Sequence, residues 1–459
     1  MLVLLTGASG FIGRHLLRAL LAQGHTVRCA VRNPERMRAS FAGARVEAVH
    51  ADFVRDLEPE AWMARLQNVD VVINAVGILR EQGDQSFDAL HARAPCALFQ
   101  AAAAAGVHFV VQISALGADE AARSGYHLSK KRADDCLAAL PLKSVIVQPS
   151  VVFGVDGSSA RLFSMLASLP LIGLPGGGRQ QIQPVHIDDL CQGVLALIDQ
   201  VHRADEERPV LAVSSDAIPN LTEAGEFQSP APAAPRLAMV GPQALTLRDY
   251  LAQLRSLLGL GRALFVPIPQ AFVRLGASIA ARLPGSLLDH ETLDMLERGN
   301  AADPAPFARV LSRSPRSVQD FLTHQEASSL STRARLDWLL PLLRVALALV
   351  WIVTGIVSLG VYPVEDSYAL LARTGITGAL APLALYGAAL LDLAIGIGIL
   401  ALKRRRWLWY AQMVLIAGYT VIISLRLPEF WLHPYGPILK NLPMLAAIWL
   451  MAELDGRRN

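Results

Sequence analysis

Apolar positions fall along this chain in two contrasting patterns. Up to about residue 335, short apolar runs alternate with segments that mix charge and hydrocarbon at helical spacing. The stretch "LVLLTGASGFIGRHLLRALLAQGHTVRCAVR" reads as a buried strand, a glycine-rich turn, an amphipathic helix and a second strand. Leu16, Leu17, Leu20 and Leu21 give that helix one apolar stripe. "VDVVINAVG" (69–77), "HFVVQISALG" (108–117) and "KSVIVQPSVVFG" (143–154) are further apolar strands. Such alternation predicts an α/β fold, a doubly wound parallel sheet covered on both faces, with ligands at the carboxyl ends of its strands. Residues 216–236 read as a flexible loop rich in Pro, Ala and Ser. After it, "TLRDYLAQLRSLLGL" (246–260) restores helical periodicity through Leu247, Leu251, Leu254, Leu257 and Leu258.

Beyond residue 335 the runs become long and uncharged. Residues 345–364, "VALALVWIVTGIVSLGVYPV", are long enough to span a bilayer. A second span is expected at about 379–401, interrupted by Asp392, and a third at 407–425. A shorter fourth ends "NLPMLAAIWLMAEL" and holds Pro443. A buried soluble bundle is the alternative, but aromatic and basic flanks favour an all-α, four-helix transmembrane domain in contact with the lipid bilayer. Dense positive charge at 403–406 and 457–458 places both of those ends in the cytoplasm, and the N-terminal part with them. No signal or transit peptide is apparent before the first strand, which agrees with that placement.

Composition supports the division. Only 18% of the 459 residues are charged and 53% are hydrophobic, against about 25% charged in an ordinary soluble chain. A net charge of +3 is too small to imply nucleic acid. Cys29, Cys96, Cys136 and Cys191 show no metal-ligand spacing and read as buried apolar residues in a reducing compartment, so no metal is expected.

Chemistry concentrates at the predicted strand ends. In "TGASGFIG", Gly7 permits the tight turn, Gly10 lets the backbone approach a pyrophosphate, and Gly13 lets the helix pack on the sheet. The second strand ends at Arg32 with no acid before Glu35, which favours NADP(H) over NAD(H); Arg28 lies four residues earlier. Asp52 and Phe53 are positioned to meet an adenine ring, or Asp52 caps the next helix. Tyr126 and Lys130, four residues apart, share one helical face.

Together "TGASGFIG", "NAVG" (74–77), "ISALGA" (113–118), "YHLSK" (126–130) and "QPSVVFG" (148–154) resemble the short-chain dehydrogenase/reductase superfamily. Within it, residues 163–190 look like the atypical branch of the nucleotide-binding accessory subunit of respiratory complex I. The similarity covers residues 1–325 and implies a Rossmann fold with a small C-terminal lobe. It implies that Ser9, Phe11 and Ile12 complete the phosphate turn, that Ala75, Val76 and Gly77 lie along the cofactor, and that Pro149 to Val152 flank the nicotinamide. It also implies that Ser114 polarises the substrate, that Tyr126 is the acid, and that Lys130 binds ribose and lowers the tyrosine pKa. Where the family commonly has arginine, this chain has Gln148. Residues 336–459, through "YTVIISLRLPEFWLHPYGPILKNLP" (419–443) and "YPVEDS" (362–367), resemble the DoxX-like membrane family. Asp392, Glu429, His433 and Lys440 are ionisable groups at or near the spans, either functional or paired to hold the bundle.

The expectation is a multi-pass protein of the cell (inner) membrane whose cytoplasmic NADP(H)-dependent oxidoreductase domain acts on a quinone or lipid carbonyl. The rival is a nucleotide-binding structural or sensing module that docks to a membrane protein complex.

Overall fold

The computed structural model describes all residues except 42, 207–233, 281–289, 435 and 456–459. The chain forms two compact units, Met1–Thr332 and Arg333–Asn459. The expected loop at 216–236 lies outside the described residues except at its end, where Arg236 already opens a strand.

The first unit is built on a seven-stranded sheet. Its strands are β1 (Leu2–Thr6), β2 (Thr26–Val31), β3 (Val46–His50), β4 (Val71–Asn74), β5 (Phe109–Ile113), β6 (Ser144–Pro149) and the strand Arg236–Met239. From one edge the order is Arg236–Met239, β6, β5, β4, β1, β2, β3, and every pairing is parallel. The order reverses at β1, which opens a crevice between the carboxyl ends of β1 and β4. Uninterrupted apolar runs are what a sheet buried on both faces requires. One face packs on the helices Phe11–Ala22 and Ile187–Glu206 through Leu16, Leu17, Leu190 and Val194. The other packs on Ala94–Ala104 and Gly125–Ala138 through Leu98, Phe99 and Leu137. Thr6, Asn74 and Gln112 form a buried polar ladder across β1, β4 and β5, with bonds of 2.6 and 2.7 Å.

A smaller lobe gathers around the helix Leu247–Leu257, capped by Thr246, with Tyr250, Leu251 and Leu254 packed near Phe153 and Phe321. The fully buried Asp189 fastens its last segment, accepting from Arg313 (2.5 Å) and from the backbone of Arg316 (2.7 Å).

Among the described residues three helices are long and apolar enough to cross a membrane: His324–Val361, Leu380–Ala401 and Arg406–Arg426. The first ends before the expected residue 364, because Gly360 (φ 143°) breaks it and Val364–Thr374 starts a separate helix. The fourth apolar segment forms the helix Asn441–Asp455, 15 residues long and about 22 Å by the rise of an α-helix. Outward faces are apolar, with Leu383, Val414 and Leu425 at least 71% exposed, as lipid contact requires and a soluble bundle does not. Inside, Trp351 donates to the fully buried Gln412 at 2.8 Å. Glu429 pairs with Arg373, as the pairing alternative for this residue expects.

Candidate functional site

Gly7 adopts φ 68°, and a Cβ there would lie 2.6 Å from the Ala75 carbonyl oxygen. A Cβ on Gly13 would lie 2.1 Å from the carbonyl oxygen of Gly7. The turn is therefore packed between the helix and the end of β4, and only glycine fits at both places. The helix Phe11–Ala22 starts at Gly10 with no side-chain cap, which leaves its first N–H groups to an anion. Ser9 and Gly10 are exposed, whereas Phe11 and Ile12 are half-buried. A Cβ on Gly154 or Gly157 would touch the Phe11 ring at 2.8 or 2.9 Å, so both glycines make room for it. These residues fit a dinucleotide pyrophosphate.

Arg32 is exposed and makes no hydrogen bond or ion pair among the described residues. Arg28 differs. It donates to Glu47 (2.8 Å) and to the carbonyls of Arg65 (2.9 Å) and Gln67 (2.8 Å), a structural brace. Asp52 caps no helix: its Oδ1 accepts from the Val54 backbone at 3.1 Å in a turn, and the next helix begins at Glu60. Phe53 turns into the core edge-on to Trp62, with ring centroids 5.2 Å apart, so its ring does not wall an adenine site.

Ser124 caps the helix Gly125–Ala138 by accepting from the His127 backbone at 3.2 Å. That start sets the stripe Tyr126, Lys130 and Asp134, one residue per turn. Lys130 is buried, and its Nζ donates to the carbonyls of Val76 (3.0 Å) and Ile113 (3.1 Å). It thus ties the segment after β4 to the end of β5, next to Ser114. The Ser114 hydroxyl donates to Asp134 Oδ2 at 2.5 Å. Burial lowers the Lys130 pKa, opposed by the charge of Asp134. Burial raises Asp134, opposed by its hydrogen bond from Ser114 and by the Lys130 charge. Tyr126 is half-buried, and burial followed by the Asp134 charge pushes its phenol up to about 12. The expected lowering by Lys130 is absent from this arrangement: the ammonium is directed at two carbonyls, and burial and the Asp134 charge both raise the phenol.

Two contributors, Asp134 and His91, escaped sequence reasoning, and a third, Gln148, was singled out without a role. Asp134 was legible as the next step of the four-residue stripe. His91, fully buried, accepts from the Ile78 backbone through Nε2 (2.9 Å) and meets Ser129 through Nδ1 (3.0 Å), fixing the loop that follows Gly77. Nothing in its spacing marks it. Gln148 donates to the Ala118 carbonyl at 3.3 Å and braces the loop after Ser114. Pro149 and Val152 are both buried beneath that loop's neighbourhood, and the Pro149 carbonyl accepts from the Leu116 backbone at 2.9 Å.

A parallel sheet with a glycine turn at its crevice is the arrangement of a dinucleotide-binding domain. Residues 7–163 match the NAD(P)H-binding family model and residues 348–449 the DoxX-like family model. The chain is therefore similar to an NAD(P)H-binding domain in its first part and to the DoxX-like family in its second, and its second part carries apolar helices long enough to cross a membrane. It is 29% identical to ceramide reductase of Caulobacter vibrioides over 195 residues, 42% of this chain and 60% of that protein. It is 30% identical over 209 residues to the mitochondrial NADH dehydrogenase (ubiquinone) 1 alpha subcomplex subunit 9 of Arabidopsis thaliana, 42% of this chain and 48% of that one. The match thus spans about half to three-fifths of these relatives' length. An NADPH-dependent quinone oxidoreductase of Escherichia coli shares the fold, with 18% identity, a TM-score of 0.52, and coverage of 72% of this chain and 99% of that one.

Proposed function

We propose that the chain is a membrane-anchored, NADP(H)-preferring reductase of a lipophilic carbonyl. The observation that supports this best is Lys130, one turn after Tyr126, whose bonds to the carbonyls of Val76 and Ile113 hold its helix against the ends of β4 and β5, one residue from Ser114. A bound nicotinamide would supply hydride. Tyr126 keeps its proton across neutral pH, the form that a proton donor to a carbonyl oxygen needs. Ser114 and Lys130 hold the reacting groups in register, and Gly7, Gly10 and Gly13 with Ala75, Val76 and Gly77 form the cofactor's seat. The relative named ceramide reductase favours a lipid carbonyl, and an apolar membrane domain on the same chain suits such a substrate. Quinone is the alternative acceptor.

The test is NADPH oxidation by the full chain in membranes supplied with lipid ketones or quinones. Tyr126→Phe keeps the ring and removes the proton, so turnover should fall by about 10²–10⁴ with NADPH binding intact. Turnover that ignores this change would remove the phenol from the mechanism. A second reading, a nucleotide-binding structural module of a membrane complex, is supported by the relatives that are complex I subunits. It takes over if NADPH stabilises the protein and no carbonyl or quinone is reduced.

A further inference from the structure

Two residues beyond Ser114, the loop Leu116–Asp119 borders a cavity of about 220 Å³. Its other described walls are Gln181 and the segment Arg298–Ala301 of the smaller lobe. We infer that this cavity receives the neutral, hydrogen-bond-donating head of a lipid substrate, a hydroxyl or secondary amide beside the reacting carbonyl, with Asn300 as its specificity-determining contact. The inference rests on the carbonyl-reductase reading above and narrows its substrate class.

Charge argues first. The cationic and anionic groups that line the cavity, Arg298 and Asp119, neutralise each other through bonds of 2.5 and 2.6 Å. Arg298 also donates to the Gly117 carbonyl at 2.6 Å. A phosphate or carboxylate head would have to break this pair, whereas a neutral head leaves it whole.

Hydrogen bonding argues second. The backbone of Asn300 is fixed by its N–H to the Gln181 carbonyl at 2.7 Å, so its carboxamide stands on a rigid support. The carboxamide oxygen is enclosed and has no hydrogen-bond partner among the described residues. An enclosed acceptor calls for a donor. A hydroxyl or an amide N–H supplies one; a quinone ring or a bare ketone has none to give. His127 stands against the same loop, its ring Nε2 3.1 Å from where a Cβ on Gly117 would stand. Leu116 and Gly117 of the cavity wall belong to the loop that begins at Ser114, so the cavity lies along the loop that leaves the proposed reaction site.

The experiment uses the full chain in detergent micelles with saturating NADPH and three probes. They are a long-tailed 3-ketone with a 1-hydroxyl and a 2-acylamino group, the plain 3-ketone of equal length, and a short-chain benzoquinone. Calorimetry should give the hydroxy-amide ketone about tenfold tighter binding than the plain ketone. Asn300→Leu should bring that ratio close to one with NADPH affinity unchanged. Ala301→Phe, which fills the cavity and keeps Asn300, should weaken the hydroxy-amide ketone alone, and it decides the matter if Asn300→Leu disturbs folding. Equal binding of the two ketones by the unmodified protein, or a preference that both variants retain, overturns the assignment. NADPH oxidation recorded in the same samples keeps the two claims apart. Asn300-dependent binding without oxidation of NADPH leaves the cavity assigned and defeats the reductase reading.

Discussion

Ser114 gives its hydroxyl proton to a hydrogen bond with Asp134, 2.5 Å away, and neither residue is more than 4% exposed. The serine's proton is therefore committed to a buried carboxylate. Asp134 also provides the carboxylate charge that opposes the desolvation of Lys130. Asp134→Ala should remove both supports and cost about 1–3 kcal/mol, the penalty for leaving buried polar groups unpaired. Thermal unfolding of the full chain reads this directly. Asp134→Asn keeps an acceptor for Ser114 and should recover part of the loss. An unchanged melting temperature in the alanine variant would show that the pair carries no stability.

His91 predicts an acid limb. Burial first, and the charge of Lys130 second, hold its pKa down to about 2 against an ordinary 6.5. A depressed native pKa gives a contribution that is complete above pH 6.5 and is lost as the pH falls below it. The slope should be about 1.4 kcal/mol per pH unit while only the unfolded chain takes the proton. His127 and His186 are also lowered, chiefly by burial, and add slopes of the same sign. His91→Gln can still accept from Ile78 but cannot titrate. Its melting temperature should fall less steeply than that of the unmodified chain between pH 6.5 and 5.

Two ion pairs inside the second unit sort its connecting segments into two groups. Arg405 meets Asp455 at 2.5 Å, which brings the 403–406 stretch and the end of the last described helix together. Arg373 meets Glu429 and gathers the opposite loops. If the positive-inside rule holds for the basic cluster, residues near 365 and 430 should react with a membrane-impermeant label from outside intact cells. Labelling at 403–406 instead would invert the arrangement.

Much of this architecture was legible in the sequence because it repeats locally. The glycine spacing of "TGASGFIG" names a turn, and "YHLSK" names a helical face, since both depend on residues within a turn or two of each other. What escaped depends on contacts distant in the chain. Arg28 and Arg32 look alike on one strand, and only the fold brings Glu47, Arg65 and Gln67 to Arg28. Phe53 reads equally well as an adenine wall and as a core ring until Trp62 is seen beside it. The direction of the Tyr126 shift turned on where a lysine's ammonium points, and the carbonyls of Val76 and Ile113 decide that from other strands.

Those two arginines give the last prediction. On β2, Arg28 spends its guanidinium on Glu47 and two carbonyls, so it has little left for a ligand. Arg32, at the strand's carboxyl end, is exposed with no partner among the described residues. A 2′-phosphate there would gain a charge-assisted contact worth about 1.5–3 kcal/mol, or about 10- to 100-fold in affinity. Arg32→Ala should therefore erase most of the preference for NADPH over NADH while NADH binding stays near its original strength. Arg28→Ala should do the reverse, lowering the melting temperature by loosening β2 from β3 and leaving the cofactor ratio unchanged. Titration of both variants with both cofactors separates the roles. Equal affinities for NADPH and NADH in the unmodified chain would mean that Arg32 reads no phosphate.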